Sequence, residues 1–137
     1  MNSKNQYLLL FSGNEWWNQL SSEQIQQVID QSKAWYGKLA DAGKVKAGQA
    51  LAREGATVSG KNTRVFSDGP FAESKEAIGG YLLLEAASLE EAIAIAQASP
   101  SLKYGTQVEV RPLTDECPLD FRARQLGCKG ELSEMAA

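Results

Sequence analysis

The chemistry-bearing residues of this chain gather in one stretch, SDGPFAESKEAIGGYLLLEA, residues 67–86. Asp68, Glu73, Lys75 and Glu76 place three carboxylates and an amine close together in sequence. Carboxylates held near one another push one pKa up, and a neighbouring ammonium pulls one down. A pair split in this way can supply a general base without imidazole. Imidazole is not available here, because the chain has no histidine. Ser-His-Asp triads, Cys-His dyads and His-containing metal sites are therefore excluded. No side chain has an unperturbed pKa near 7. Asp68, Glu73 and Lys75 are the candidate catalytic residues. A competing reading is structural. Pro70 biases Gly69 away from the α region, and Gly69 tolerates backbone angles other residues avoid. Asp68 can accept backbone N–H groups as it does in turns, and Phe71 can anchor the corner in the core. On that reading Glu73, Lys75 and Glu76 are a solvated charged loop.

Four more residues are candidates for ligand binding. Trp16 and Trp17 are adjacent in a loop, GNEWWNQ, where one can staple onto a helix and the other can roof a pocket. Tyr81 follows the glycine pair and can extend a hydroxyl into the same cleft. Arg111 can bind an anion together with Lys75, or form an ion pair with Asp68 or Glu109. Gly79 and Gly80 open a strand, where glycine is costly unless something approaches closely. A bulge or a partner backbone at a dimer seam is expected, ahead of a ligand.

The elements that must position these residues follow from patterning. Residues 6–12, QYLLLFS, form a continuous apolar run and read as a buried strand. Ser21 and Gln24 have capping-box spacing. The helix they open carries Ile25, Val28, Ile29, Trp35, Tyr36 and Leu39 on one stripe, with Ser32 the polar residue within it. Gly43 is the expected stop. Residues 44–51 read as a weaker strand containing Gly48. ATVS and TRVFS, around Gly60-Lys61-Asn62, read as a short hairpin. GGYLLLEA is a second apolar strand. Ser88 and Glu91 repeat the capping-box spacing and open a helix to about residue 99, with Leu89, Ala92, Ile93 and Ala96 on its face and Pro100 as its end. Residues 106–113 alternate as a final strand. Residues 114–137 form a polar C-terminal tail with a short helix near 119–126 that packs on the domain or on a partner subunit.

Without the hairpin this order is βαββαβ, a ferredoxin-like α+β protomer with an antiparallel sheet and both helices on one face. A sheet with one face in water should alternate apolar and polar residues. Leu8, Leu9, Leu10 and Leu82, Leu83, Leu84 do not. A homodimer with sheets back to back is the simplest cover, and the C-terminal tail folding over that face is the alternative.

At 137 residues, 43% hydrophobic and 23% charged, the composition is that of one ordinary globular domain. The net charge of -3 argues against nucleic acid or an anionic membrane as partner. Cys117 and Cys128 lack CxxC spacing and read as two free thiols. The polar start MNSKNQ, with an apolar run over residues 7–11 too short for a signal core or a membrane span, leads to the expectation of a cytoplasmic protein. No metal and no cofactor are expected.

The stretch described first resembles the signature of the YCII-related, or DGPF-domain, family of the dimeric α+β barrel superfamily. Asp68-Gly69-Pro70-Phe71 is followed at the family's spacing by Glu73, Lys75 and Glu76, and then by Gly79-Gly80-Tyr81. VEVRPL, residues 108–113, resembles the closing strand, and YLLLFSGNEWW, residues 7–17, the opening strand and loop. The resemblance covers residues 6–113 and implies a dimeric α+β barrel. Some YCII-type proteins have a proposed His-Asp pair, and one branch dehydrochlorinates a hydroxylated aromatic ring. With no histidine, that pair does not carry over. Other members lie beside, or are fused to, sigma factors of the extracytoplasmic-function type, which implies regulation.

The expectation is thus a DGPF domain over residues 1–113. It forms a homodimer that binds or transforms a small aromatic or anionic molecule in a cleft near the DGPF loop. The alternatives are a non-catalytic regulatory or interaction module, for example in sigma-factor-linked signalling, and a member that kept its dimer after losing its site.

Overall fold

The computed structural model describes residues 5–13, 15–52, 54–60, 64–66, 78–115 and 117–127. Its centre is a four-stranded antiparallel sheet. The strands are β1 (Gln6–Ser12), β2 (Val45–Ala50), β5 (Gly80–Glu85) and β6 (Gln107–Pro112). They lie in the order β2-β5-β1-β6. Among these four the first strand is flanked by the third and fourth, which is the ferredoxin-like arrangement. The two apolar runs pair centrally, Leu8 opposite Leu83 and Leu9 opposite Leu82. A separate hairpin joins β3 (Thr57–Ser59) to β4 (Arg64–Phe66), with Gly60 in the left-handed region after β3.

Helix α1 (Ser22–Asp41) begins at a complete capping box. The Gln24 backbone N–H donates to Ser21 Oγ at 3.1 Å, and the Ser21 N–H donates to Gln24 Oε1 at 2.9 Å. It ends with Gly43 at φ 73, while the Lys44 N–H donates to the Leu39 carbonyl and the Gly43 N–H to that of Ala40. Glycine is needed there because the left-handed turn satisfies the last carbonyls. Helix α2 (Leu89–Gln97) starts differently from its expected box. Ser88 Oγ accepts from the Glu91 N–H, but the Glu91 carboxylate turns to the Ala87 N–H and to Lys44 Nζ, each at 3.0 Å. A long-range cation competes for the carboxylate that a local box would have used. Helix α3 (Pro118–Gln125) follows the sheet and buries Asp120.

The core lies between one sheet face and the helices. Tyr7, Leu9, Leu82 and Leu84 point into it from the strands, Ala86 from just after β5, and Val28, Leu39, Ala92 and Ala96 from α1 and α2. Each fully buried leucine contributes about 1.5–3 kcal/mol. The expected face of α2 needs correction. Leu89 and Ile93 are exposed, and the buried side is Ala92 and Ala96 with Ile95 beside them. Small side chains let this short helix lie close to the sheet. On the other sheet face Leu8, Leu10 and Leu83 remain half-buried within the protomer. Burial therefore alternates along both strands although hydrophobicity does not. Among the described residues no helix is long and apolar enough to cross a membrane.

Candidate functional site

The functional end of the molecule is where β1 stops. Gly13 leaves the strand at φ 73, and a side chain there would place its Cβ 2.6 Å from the Gly105 carbonyl oxygen. This close backbone contact holds the loop after β1 against the loop before β6. Two short 3-10 turns are brought together by it, Trp16–Gln19 and Pro100–Tyr104. Trp16 meets Trp17 edge-on, with ring centroids 5.6 Å apart, and leans on Tyr104 at 6.5 Å. Lys103 Nζ lies 5.3 Å from the Tyr104 ring centroid, within cation–π range.

Trp16 thereby walls a groove along α1. The opposite side consists of Val28, Ile29, Ser32, Lys33, Trp35 and Tyr36, and the cavity volume is about 450 Å³. Helical spacing brings these residues together, since positions three and four apart share a face. Trp35 is fixed rigidly. Its indole Nε1 donates to the Ile95 carbonyl at 3.1 Å, and its ring meets Phe11 edge-on at 6.5 Å. Ile29 and Tyr36 present apolar surface to solvent within the groove. The lining contains one cation, Lys33, and no carboxylate. Lys33 forms no ion pair with any described residue.

The sequence-derived candidates divide among several places. Asp68, Gly69, Pro70, Phe71, Glu73 and Lys75 lie outside the described residues, as does Cys128. Trp16 lines the groove, and Trp17, more exposed, supports it from behind. Tyr81 and Arg111 are elsewhere. Tyr81 alternates with the buried Leu82 and sits opposite Leu10, while Arg111 sits opposite Leu8, so both belong to the open sheet face. Arg111 Nη1 pairs with Glu109 Oε2 at 3.1 Å in an exposed bridge. The structure does not bring Tyr81 and Arg111 together with Trp16 in one groove.

The glycine pair has a local explanation. The Gly79 N–H donates to the Phe11 carbonyl at 2.7 Å, and its carbonyl accepts from the Leu51 N–H at 2.8 Å. A Cβ on Gly80 would lie 3.1 Å from the Gln49 carbonyl oxygen. The backbone that approaches closely is β2 of the same chain. Gly79 thus joins the sheet beside Phe11, at the same end from which the Trp16 turn departs.

The described residues contain no cluster of three or more Cys, Asp or Glu side chains able to hold a metal ion. The Glu91 carboxyl is held below its ordinary range, first by the Ala87 N–H and then by Lys44. It lies at the start of α2 and is not in the groove lining. Sequence reasoning missed the groove. The available signal was Ser32, the polar interruption of the α1 stripe.

With this geometry established, comparison with known proteins places the chain. The model of the YCII-related domain matches residues 6–115, and the chain belongs to that family. It is 33% identical over 97 residues to an uncharacterised protein of Rhizobium meliloti (strain 1021), a match covering 68% of this chain and 78% of that one. Among solved structures it is similar to 5-chloro-2-hydroxyhydroquinone dehydrochlorinase from Burkholderia phenoliruptrix AC1100, in complex with 2,5-dihydroxybenzoquinone. That match has 18% identity and a TM-score of 0.45, covering 81% of this chain and 95% of the other.

Proposed function

We propose that this YCII-related protein binds a small aromatic or anionic molecule at the end of the sheet where the Trp16 turn departs and Gly79 meets Phe11. The supporting observation is the groove itself, a concave surface of about 450 Å³ walled by Trp16, Trp35 and Tyr36. Its size and its aromatic lining with few polar groups are those of small-molecule sites. On this proposal Asp68, Glu73 and Lys75 supply the polar chemistry. Tyr81 and Arg111 serve the open face instead. That face, with half-buried Leu8, Leu10 and Leu83, favours a homodimer with sheets back to back.

Tryptophan fluorescence tests the proposal, using a panel of phenolic and anionic compounds against wild type, Trp16→Ala, Asp68→Asn and Lys75→Ala. Saturable quenching in wild type, lost in Trp16→Ala, supports binding in the groove. Loss also in Asp68→Asn and Lys75→Ala at unchanged stability brings the DGPF stretch into the site. No response to any compound, together with a large stability loss from Asp68→Asn alone, contradicts it and leaves that stretch a structural corner.

A further inference from the structure

The groove carries information about the charge of its ligand. The whole chain has a net charge of -3, yet the groove lining holds one ammonium and no carboxylate. Three cations of the described fold are committed to ion pairs. Lys44 pairs with Glu91 at 3.0 Å, Lys46 with Glu85 at 3.1 Å, and Arg111 with Glu109 at 3.1 Å. Lys33, like Lys38 and Lys103, has no ion pair among the described residues, and it is the cation in the groove lining. Asp30, one helical turn before it, accepts instead from Gln26 Nε2 at 2.9 Å. Lys103 adds a second positive charge behind Tyr104, the ring on which Trp16 leans. Ser32 contributes a hydroxyl beside Lys33 in the lining.

We propose that the groove selects a planar aromatic monoanion, its ring against Trp16 and Tyr36 and its anionic group at Lys33 Nζ and the Ser32 hydroxyl. This rests on the binding role proposed above and adds the charge of the ligand to it. The apolar walls exclude water from one side of the charge pair, and an ammonium without a protein counter-ion loses no existing bridge when the ligand arrives. A neutral ring of the same shape keeps the wall contacts and forfeits the charge pair.

Isothermal titration calorimetry with 2-naphthoate and its neutral isostere 2-naphthamide separates the two contributions. In wild type the carboxylate binds about fivefold more tightly than the amide, the scale of a solvent-accessible charge pair. Lys33→Gln removes that preference by weakening the carboxylate alone, and Lys33→Arg retains it. Trp16→Ala weakens both ligands. If wild type binds both ligands equally and Trp16→Ala weakens both, the groove binds but does not select an anion, and the charge inference is overturned. If neither ligand binds at millimolar concentration, or Trp16→Ala changes neither, the binding role fails and the charge inference with it.

Discussion

The indole of Trp35 spans the two helices that cover the sheet, donating from α1 to the Ile95 carbonyl of α2 at 3.1 Å. The same ring lines the groove on its other side. One residue therefore couples the packing of the core to the shape of the candidate site. Trp35→Phe removes the donor, while the Ile95 carbonyl keeps its bond from the Ala98 N–H at 3.2 Å. The expected loss is about 0.5–1.5 kcal/mol of stability, read from urea unfolding. Affinity for any groove ligand should fall with it, whereas Trp17→Phe should change neither by much.

Glu91 connects stability to pH. Its folded-state pKa is depressed below the ordinary 4.5 by the Ala87 N–H and by Lys44. A carboxylate with a lowered folded pKa contributes stability above its unfolded pKa and loses it as pH falls through the folded value. Wild type should therefore be more stable than Glu91→Gln at pH 7, and the gap should close on acidification below about pH 4. The urea midpoints of the two proteins, measured across this range, check it. A gap that stays constant with pH would mean that the ionised form is not what matters.

Gly13 should tolerate no side chain. Its φ of 73 disfavours L-residues, and a Cβ would meet the Gly105 carbonyl oxygen at 2.6 Å. The left-handed backbone alone costs about 1–2 kcal/mol, and the clash adds to it. Gly13→Ala should lower the thermal midpoint and displace the Trp16 turn, with a matching change in tryptophan fluorescence. Gly43→Ala has the same φ but open space around its Cβ, and should cost only the backbone term.

The open sheet face sets the oligomeric state on the dimer proposal. Leu10 lies opposite Tyr81 on one side and Glu109 on the other. Leu10→Lys gains a neighbouring carboxylate within the protomer and ruins an apolar seam between protomers. Sedimentation should give about twice 14.9 kDa for wild type and a folded species near 14.9 kDa for the variant. A wild-type monomer at micromolar concentration would remove the back-to-back arrangement.

Much of this fold was legible in the sequence because its signals are local. The Ser21–Gln24 box, the Gly43 stop and the two triple-leucine strands depend on neighbours in the chain, and each appears where expected. The departures arise from distant partners. Glu91 leaves the expected box because Lys44 arrives from the end of α1. Leu89 and Ile93 turn outward because the sheet accepts the alanine side of α2. The groove was illegible for the same reason. It forms between a 3-10 turn and a helix, held by the contact of Gly13 with Gly105, and neither element announces the other in sequence. The tryptophan pair Trp16 and Trp17 offers one pocket residue without saying which, and the partners on α1 read as one amphipathic stripe.

The most direct measurement is a two-dimensional 1H–15N NMR titration of the protein with 2-naphthoate. If the groove is the binding site, the indole N–H signals of Trp16 and Trp35 and the backbone amides around Ser32 and Lys33 shift together along one saturable curve. Amides of Leu8, Leu10 and Leu83 on the open face stay where they are. Saturable shifts confined to that open face, or no shift at all up to millimolar ligand, would contradict the assignment of the groove as the site.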